Sequence, residues 1–199
     1  MYKKEHSTWV FPDSDGQLAE GASRPGFFRG VATVVAKLFN IVQPHNAYFG
    51  QKDAQQAMII SNMVQDLNMP LSVKICPTVR ESDGLAMSSR NVNLPKEIRN
   101  KASVIFTGLN AAYLHYEKLM KRNNKTDNYN ETASLKSKEL YSIIETLYKN
   151  TPEIDEIHYI SIASKRTMEE IEEIKLNEGA IISVAVNMGN VRLIDNILL

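Results

Sequence analysis

The sequence predicts an α/β protein, with an open, doubly wound, largely parallel sheet over residues 1–76 and a smaller α+β lobe over 77–199. Three observations carry this. Between 31 and 76, apolar residues at helical spacing alternate with short apolar runs. That gives the order helix, strand, helix, strand of a parallel sheet. Past Pro77, long helical patterns give way to alternating strands joined at Met188-Gly-Asn190, which suits a tight hairpin turn. The chain has 199 residues, 43% hydrophobic and 23% charged, enough to bury a real core.

The first thirty residues are rich in Gly, Ser, Asp and Pro and read as loop with one short strand. Val31, Val34, Val35, Leu38, Phe39 and Val42 mark one face of a helix, which Pro44 stops. Residues 46–50 read as a short buried strand ending at a glycine. Asp53 is placed to cap a second helix, with the face Ala57, Ile60, Met63, Val64 and Leu67, ended by Pro70. Residues 71–76 alternate like a strand.

In the second lobe, residues 80–93 form a polar stretch expected to be an ordered loop. Residues 95–121 read as one long helix, 122–130 as an Asn-rich connector and 131–149 as another helix. Strands are expected over 157–162, 180–187 and 191–194, with a helix over 167–174.

Lys and Arg total 23, as do Asp and Glu, so bulk charge does not hold this chain to nucleic acid. The single cysteine, Cys76, excludes an internal disulfide and a Cys-based zinc cluster. No apolar run approaches a membrane span. The N-terminal residues lack the apolar stretch of a signal peptide, so the expected location is the cytoplasm. Two Asn-x-Thr triplets, at Asn124 and Asn130, are read as chance matches.

Three segments carry polar residues suited to chemistry. Residues 23–30, SRPGFFRG, place glycines and two arginines before a helix, where a phosphate could sit. Spacing alone favours the plainer reading, a turn with two solvated arginines. Residues 49–56, FGQKDAQQ, lie where a strand ends and a helix begins, the usual ligand end of an open α/β sheet. There Lys52 offers a point charge, Asp53 a cap or a hold on a metal-bound water, and Gln55 and Gln56 offer amides. The plain alternative is a cap and two solvated glutamines. In residues 79–91, Ser88, Ser89 and Arg90 set two hydroxyls and a guanidinium together, suited to a triphosphate, or they form a polar interdomain loop.

In order and spacing these segments resemble the pantoate–β-alanine ligase family, its fungal branch in particular. The strings are RPGFFRGVATVVAKLFNIVQP, AYFGQKDAQQA, PTVRESDGLAMSSRN and, near the C-terminus, VRLIDNI. The resemblance implies a nucleotidyltransferase-type, Rossmann-like lobe and a small C-terminal lobe with the active site between them. It also implies a reaction in which ATP activates pantoate as an adenylate and β-alanine displaces AMP. Mg²⁺ would accompany the triphosphate, and a homodimer would form through the nucleotide-binding lobe. No nucleic-acid or membrane partner is implied.

Carried over residue by residue, the family's ATP-binding Gly-x-Lys-Asp falls on Gly50, Gln51, Lys52 and Asp53, and its adenine-side valine on Val79. Its Met-Ser-Ser-Arg phosphate loop falls on Met87, Ser88, Ser89 and Arg90, and its pantoate-binding glutamine on Gln56. Lys52, Ser88, Ser89 and Arg90 are the implied catalytic group. Bacterial members commonly have His where Phe27 stands, so that position receives no role. Family members also carry an H-x-G-H loop in an N-terminal segment. The four histidines here, His6, His45, His115 and His158, stand outside that context and read as surface or packing residues. The chain therefore looks like the C-terminal portion of the enzyme, with low activity alone. The alternative is a non-catalytic remnant that binds nucleotide or a full-length partner.

Overall fold

The computed structural model describes residues 1–13, 19–123 and 133–199. The chain divides into two compact units, Met1–Pro77 and Thr78–Leu199.

The first unit contains α1 (Ala19–Ser23), α2 (Phe27–Val42), β1 (Asn46–Gly50), a 3₁₀ turn (Gln51–Asp53), α3 (Ala54–Asp66) and β2 (Ser72–Cys76). The expected parallel pairing is present, with Gly50 opposite Cys76 at the carboxyl ends of β1 and β2. Ala32 and Ala36 of α2 meet Ile60 and Met63 of α3, and Phe49 and Val73 pack onto them from the strands. Small side chains on α2 let the larger ones of α3 fill the gap at native density.

Four expectations need correction here. α2 starts at Phe27 rather than 31, because Phe28 is itself a core residue and Gly26, at φ 77, supplies the left-handed turn into the helix. Among the described residues of the first thirty there is no strand. β1 is not buried throughout but alternates exposed and half-buried, since only one face of it meets the helical core; Tyr48 is exposed. Asp53 precedes α3 without a side-chain cap hydrogen bond, because the 3₁₀ turn runs directly into the helix, and Leu67 is exposed as the residue that follows its end.

The second unit contains a 3₁₀ turn (Ser89–Asn93), α4 (Lys96–Arg99), α5 (Val104–Asn123), β3 (Ser134–Lys136), α6 (Ser137–Lys149), β4 (Glu156–Ala163), β5 (Glu173–Lys175), β6 (Ile181–Met188) and β7 (Val191–Leu198). β4, β6 and β7 form an antiparallel sheet with β6 in the centre. β6 supplies Ile182, Val184 and Val186 to a core shared with Ile105 and Leu109 of α5 and Leu140 and Ile144 of α6. Tyr148 of α6 donates its hydroxyl to the Ile105 carbonyl at 2.6 Å. Its ring lies against Gly108, where a Cβ would come within 2.6 Å of the ring. The hairpin turn stands as expected: Gly189 and Asn190 have φ of 55 and 65, the left-handed pair of a type I′ turn.

The long helix expected over 95–121 is interrupted. The backbone N–H groups of Lys101, Ala102, Val104 and Ile105 donate three residues back, a tightened turn that carries Ala102 into the core. α5 then runs to Asn123, and the rest of the expected connector, with Asn124 and Asn130, lies outside the described residues. The next helix begins at Ser137 rather than 131, because β3 pairs with β5 and places Leu135 opposite Ile174, both buried. No helix forms over 167–174. Met168 sits at φ 61, and the Glu170 carboxylate accepts the Ile162 N–H at 3.0 Å, holding that stretch along β4. β7 extends to Leu198, beyond the strand expected over 191–194.

Candidate functional site

In the first unit the candidate residues gather at one strand–helix junction. Gly50 ends β1, Gln51, Lys52 and Asp53 make the 3₁₀ turn, and Gln56 lies in the first turn of α3. Gln51, Lys52 and Gln56 are half-buried and Asp53 is exposed. A junction at the carboxyl end of parallel strands, followed by a helix N-terminus, favours an anion and is where open α/β sheets bind ligands. Gln55 does not face water as its plain alternative held: it is buried, and its Oε1 accepts the Gly21 N–H at 3.2 Å.

The arginines of 23–30 favour the turn reading over a phosphate cradle. Arg24 lies 3.8 Å from Glu20 and stacks 3.5 Å above the Phe27 ring, and Arg29 stacks 4.8 Å from the Trp9 ring. The histidines are dispersed: His6 packs edge-on against Tyr2 and Trp9, and His115 and His158 sit near Glu139 and Glu156.

In the second unit the remaining candidates share one loop. The backbone doubles back from Val79 to Met87: Arg80 bridges Ala86, the Glu81 N–H donates to the Leu85 carbonyl, and the Met87 N–H donates to the Val79 carbonyl at 2.9 Å. Val79 and Met87 thus stand side by side at the open end of this small hairpin, 65% and 47% exposed, while Leu85 and Ala86 are buried. An apolar pair so exposed can take the flat face of a base. Ser88, Ser89 and Arg90 follow. The Ser88 Oγ accepts the Arg90 N–H at 3.2 Å, opening the 3₁₀ turn and leaving the exposed Ser89 and Arg90 side chains on its surface.

The residues that hold this loop were not read from the sequence. Arg80 reaches Asp195 of β7 with both guanidinium nitrogens, donates to the Gly84 carbonyl at 3.1 Å and stacks 4.0 Å from the Phe106 ring. Asp83 pairs with Arg99 of α4, which holds the Asp83 carboxyl below its ordinary range. The available signal was Asp195, an acid at a buried strand position, which demands a partner.

Among the described residues, no three His, Cys, Asp or Glu side chains gather to hold a metal ion. No helix among them is long and apolar enough to cross a membrane.

The fold and the two loops define an α/β protein with a parallel strand–helix ligand junction and a separate β-rich C-terminal unit carrying an anion-suited serine–arginine loop. The family model described as pantoate-beta-alanine ligase matches residues 1–198, and the chain belongs to that family. The pantothenate synthetase of Chloroflexus aggregans is 44% identical over 199 residues, covering 100% of this chain and 66% of the relative. That of Thermodesulfovibrio yellowstonii is 43% identical over 198 residues, covering 65% of the relative. A crystal structure of the Thermus thermophilus enzyme superposes with a TM-score of 0.83 at 39% identity, over 99% of this chain and 65% of that one. A Francisella tularensis pantoate-beta-alanine ligase, complexed with beta-gamma ATP and beta-alanine, gives 0.57 at 30% identity, over 96% of this chain and 58% of that one. The chain therefore spans less than two thirds of the length of these relatives, from 58% to 66%, all of them bacterial.

Proposed function

We propose that this protein joins pantoate to β-alanine at the expense of ATP. The pantoate carboxylate attacks the α-phosphorus and pyrophosphate leaves. The β-alanine amine then attacks the acyl carbon of the adenylate, forms the amide and releases AMP. A carboxylate is a poor acyl donor and an acyl phosphate anhydride a good one, so the residues need only orient the reactants and neutralise charge. The observation that carries this reading is the family match over residues 1–198.

In this reading Gly50, Gln51, Lys52 and Asp53 receive ATP, Val79 lies at adenine, and Met87, Ser88, Ser89 and Arg90 take its phosphates. Lys52, Ser88, Ser89 and Arg90 stabilise the charge that develops as pyrophosphate departs. Gln56 orients pantoate through its amide. Mg²⁺ enters on the nucleotide, and the exposed Asp53 carboxylate suits a water of that ion. The reaction belongs in the cytoplasm. A homodimer through the first unit and membership of a fungal branch are parts of the same reading; the second rests on the sequence strings alone. Nothing in the comparisons favours the non-catalytic remnant.

The test is AMP formation that requires both pantoate and β-alanine, with pantothenate identified by mass spectrometry. AMP formed with pantoate but with no response to β-alanine would point to another amine acceptor. Absence of both nucleotide binding and adenylate formation would sink the reading.

A further inference from the structure

The Met87–Arg90 segment is closed at its base by one side chain. Asn91 follows it directly and is buried, at 8% exposure, while Ser89, Arg90 and Val92 around it are exposed. Its Nδ2 donates to the Ala86 carbonyl at 3.1 Å, just before the segment, and its backbone N–H donates to the Ser88 carbonyl at 3.1 Å, within it. The two bonds tie both ends of a short loop to one residue. Ala86 is itself fixed by its bridge to Arg80. The chain of support runs from β7 through Asp195, Arg80 and Ala86 to Asn91.

We propose that Asn91 is a positioning residue that presets the Ser88–Ser89–Arg90 loop for nucleotide phosphate. This rests on the reading of that loop given above. Ser89 and Arg90 have long-range value only if their backbone is already in place when phosphate arrives. A loop that must order on binding loses affinity by the fraction of time it is disordered. Asn91 supplies that order through a carbonyl outside the loop, so its side chain acts on phosphate without touching it. The fit uses the amide's donor: Nδ2 is paired, while the buried Oδ1 has no hydrogen-bond partner among the described residues. A shorter hydroxyl does not reach Ala86, and a carboxylate presents an acceptor where a donor is needed.

The experiment compares Asn91→Ala, Asn91→Ser and Arg90→Ala in the full chain, with amide hydrogen exchange and ATP titration on each. In Asn91→Ala the Arg90 amide, bonded to the Ser88 hydroxyl, should exchange at least tenfold faster. The Met87 amide, bonded to Val79 in the hairpin, should stay protected. ATP affinity should fall about five- to tenfold, the range one intramolecular hydrogen bond carries. Asn91→Ser, which leaves a smaller gap, should behave alike and serves if the alanine variant does not fold. Unchanged Arg90 exchange in a folded Asn91 variant overturns the proposal. So does faster exchange with unchanged ATP affinity, provided Arg90→Ala weakens ATP. If Arg90→Ala itself leaves ATP affinity unchanged, the phosphate reading of the loop fails instead, and this proposal fails with it.

Discussion

Arg80 and Asp195 are joined by a two-pronged ion pair, at 2.6 and 3.1 Å, across 115 residues of sequence. The Asp195 side chain is only 2% exposed, and its carboxylate also accepts the Asn196 N–H at 2.8 Å. The pair ties the hairpin bearing Val79 and Met87 to the last strand of the sheet. The candidate nucleotide loop is thereby built on a rigid element rather than left to float.

Removing both partners should therefore cost less than the sum of removing each alone. Arg80→Met or Asp195→Asn alone should lower unfolding stability by about 3 kcal/mol, since each breaks an ion pair whose carboxylate is buried. The double variant should fall short of the sum by about 1–3 kcal/mol. Arg80→Lys should recover little, because an ammonium cannot supply two parallel donors. Urea unfolding of the four proteins measures this, and strict additivity would show the pair to be incidental.

Tyr148 and Gly108 form a lock between α6 and α5. The buried hydroxyl bonds the Ile105 carbonyl, and the ring leaves no room for a Cβ at Gly108. Tyr148→Phe should cost about 1 kcal/mol. Gly108→Ala should cost about 1–3 kcal/mol by overpacking, despite the better helix propensity of alanine. Burial also pushes the Tyr148 hydroxyl well above its ordinary value. The stability it lends is complete below the unfolded tyrosine pKa of about 10 and is lost as pH rises through the higher folded value. Tyr148→Phe should thus flatten the alkaline limb of a stability–pH profile, and an unchanged limb would refute the assignment.

How much of this was legible beforehand follows from what each residue answers to. α2, α3 and the hairpin turn at Gly189–Asn190 follow local rules of apolar spacing and left-handed backbone, so periodicity finds them. The break before α5, the strand β3 and the absent helix over 167–174 are settled by tertiary contacts that apolar spacing does not register. Ala102 enters the core, Leu135 pairs with the distant Ile174, and the Glu170 carboxylate accepts the Ile162 N–H from eight residues back. At the site the same division holds. Lys52, Gln56 and Ser88–Arg90 could be named because they stand in contiguous strings. Asn91 stood in the quoted PTVRESDGLAMSSRN string, yet its side-chain bond to Ala86 is set by the folded turn and drew no notice. Arg80 and Asp195 sat in two different strings, and nothing in either states that they meet.

Asp83 should give the second unit an acid-sensitive element. Its hydrogen bond from Arg99 lowers the carboxyl below its ordinary value, and Asp83 in turn raises the Arg99 guanidinium. A depressed acid lends stability that is complete above the unfolded pKa, about 3.9, and is lost as pH falls through the lower folded value. Asp83→Asn should therefore destabilise at neutral pH, by an amount that shrinks as pH falls below the unfolded value. The effect should shrink in high salt, since both side chains are partly exposed. Thermal unfolding of both proteins from neutral pH downward decides it; a difference that does not shrink with falling pH would place the effect in packing rather than charge.

The last expectation separates the roles proposed for Lys52 and Gln56, which lie on one strand–helix junction yet are assigned to different substrates. Lys52 stands in the turn after β1, where in the proposed role a compact cation would meet phosphate near a helix N-terminus. Its contact should strengthen as pyrophosphate leaves, so Lys52→Ala should slow pantoyl-adenylate formation about a hundredfold or more. Lys52→Arg should not rescue it, because a planar fork presents charge differently. Gln56, half-buried in the first turn of α3, offers an amide to a polar substrate. Gln56→Ala should raise the KM for pantoate roughly ten- to a hundredfold, the worth of a hydrogen bond left unmade in a partly buried site, with ATP affinity nearly unchanged. Rapid-quench measurement of adenylate formation, with each substrate varied in turn, resolves the two. Equal losses for both substrates in both variants would mean that the junction is being disturbed as a whole, and near-normal rates would return both side chains to the solvated surface of α3 and its leading turn.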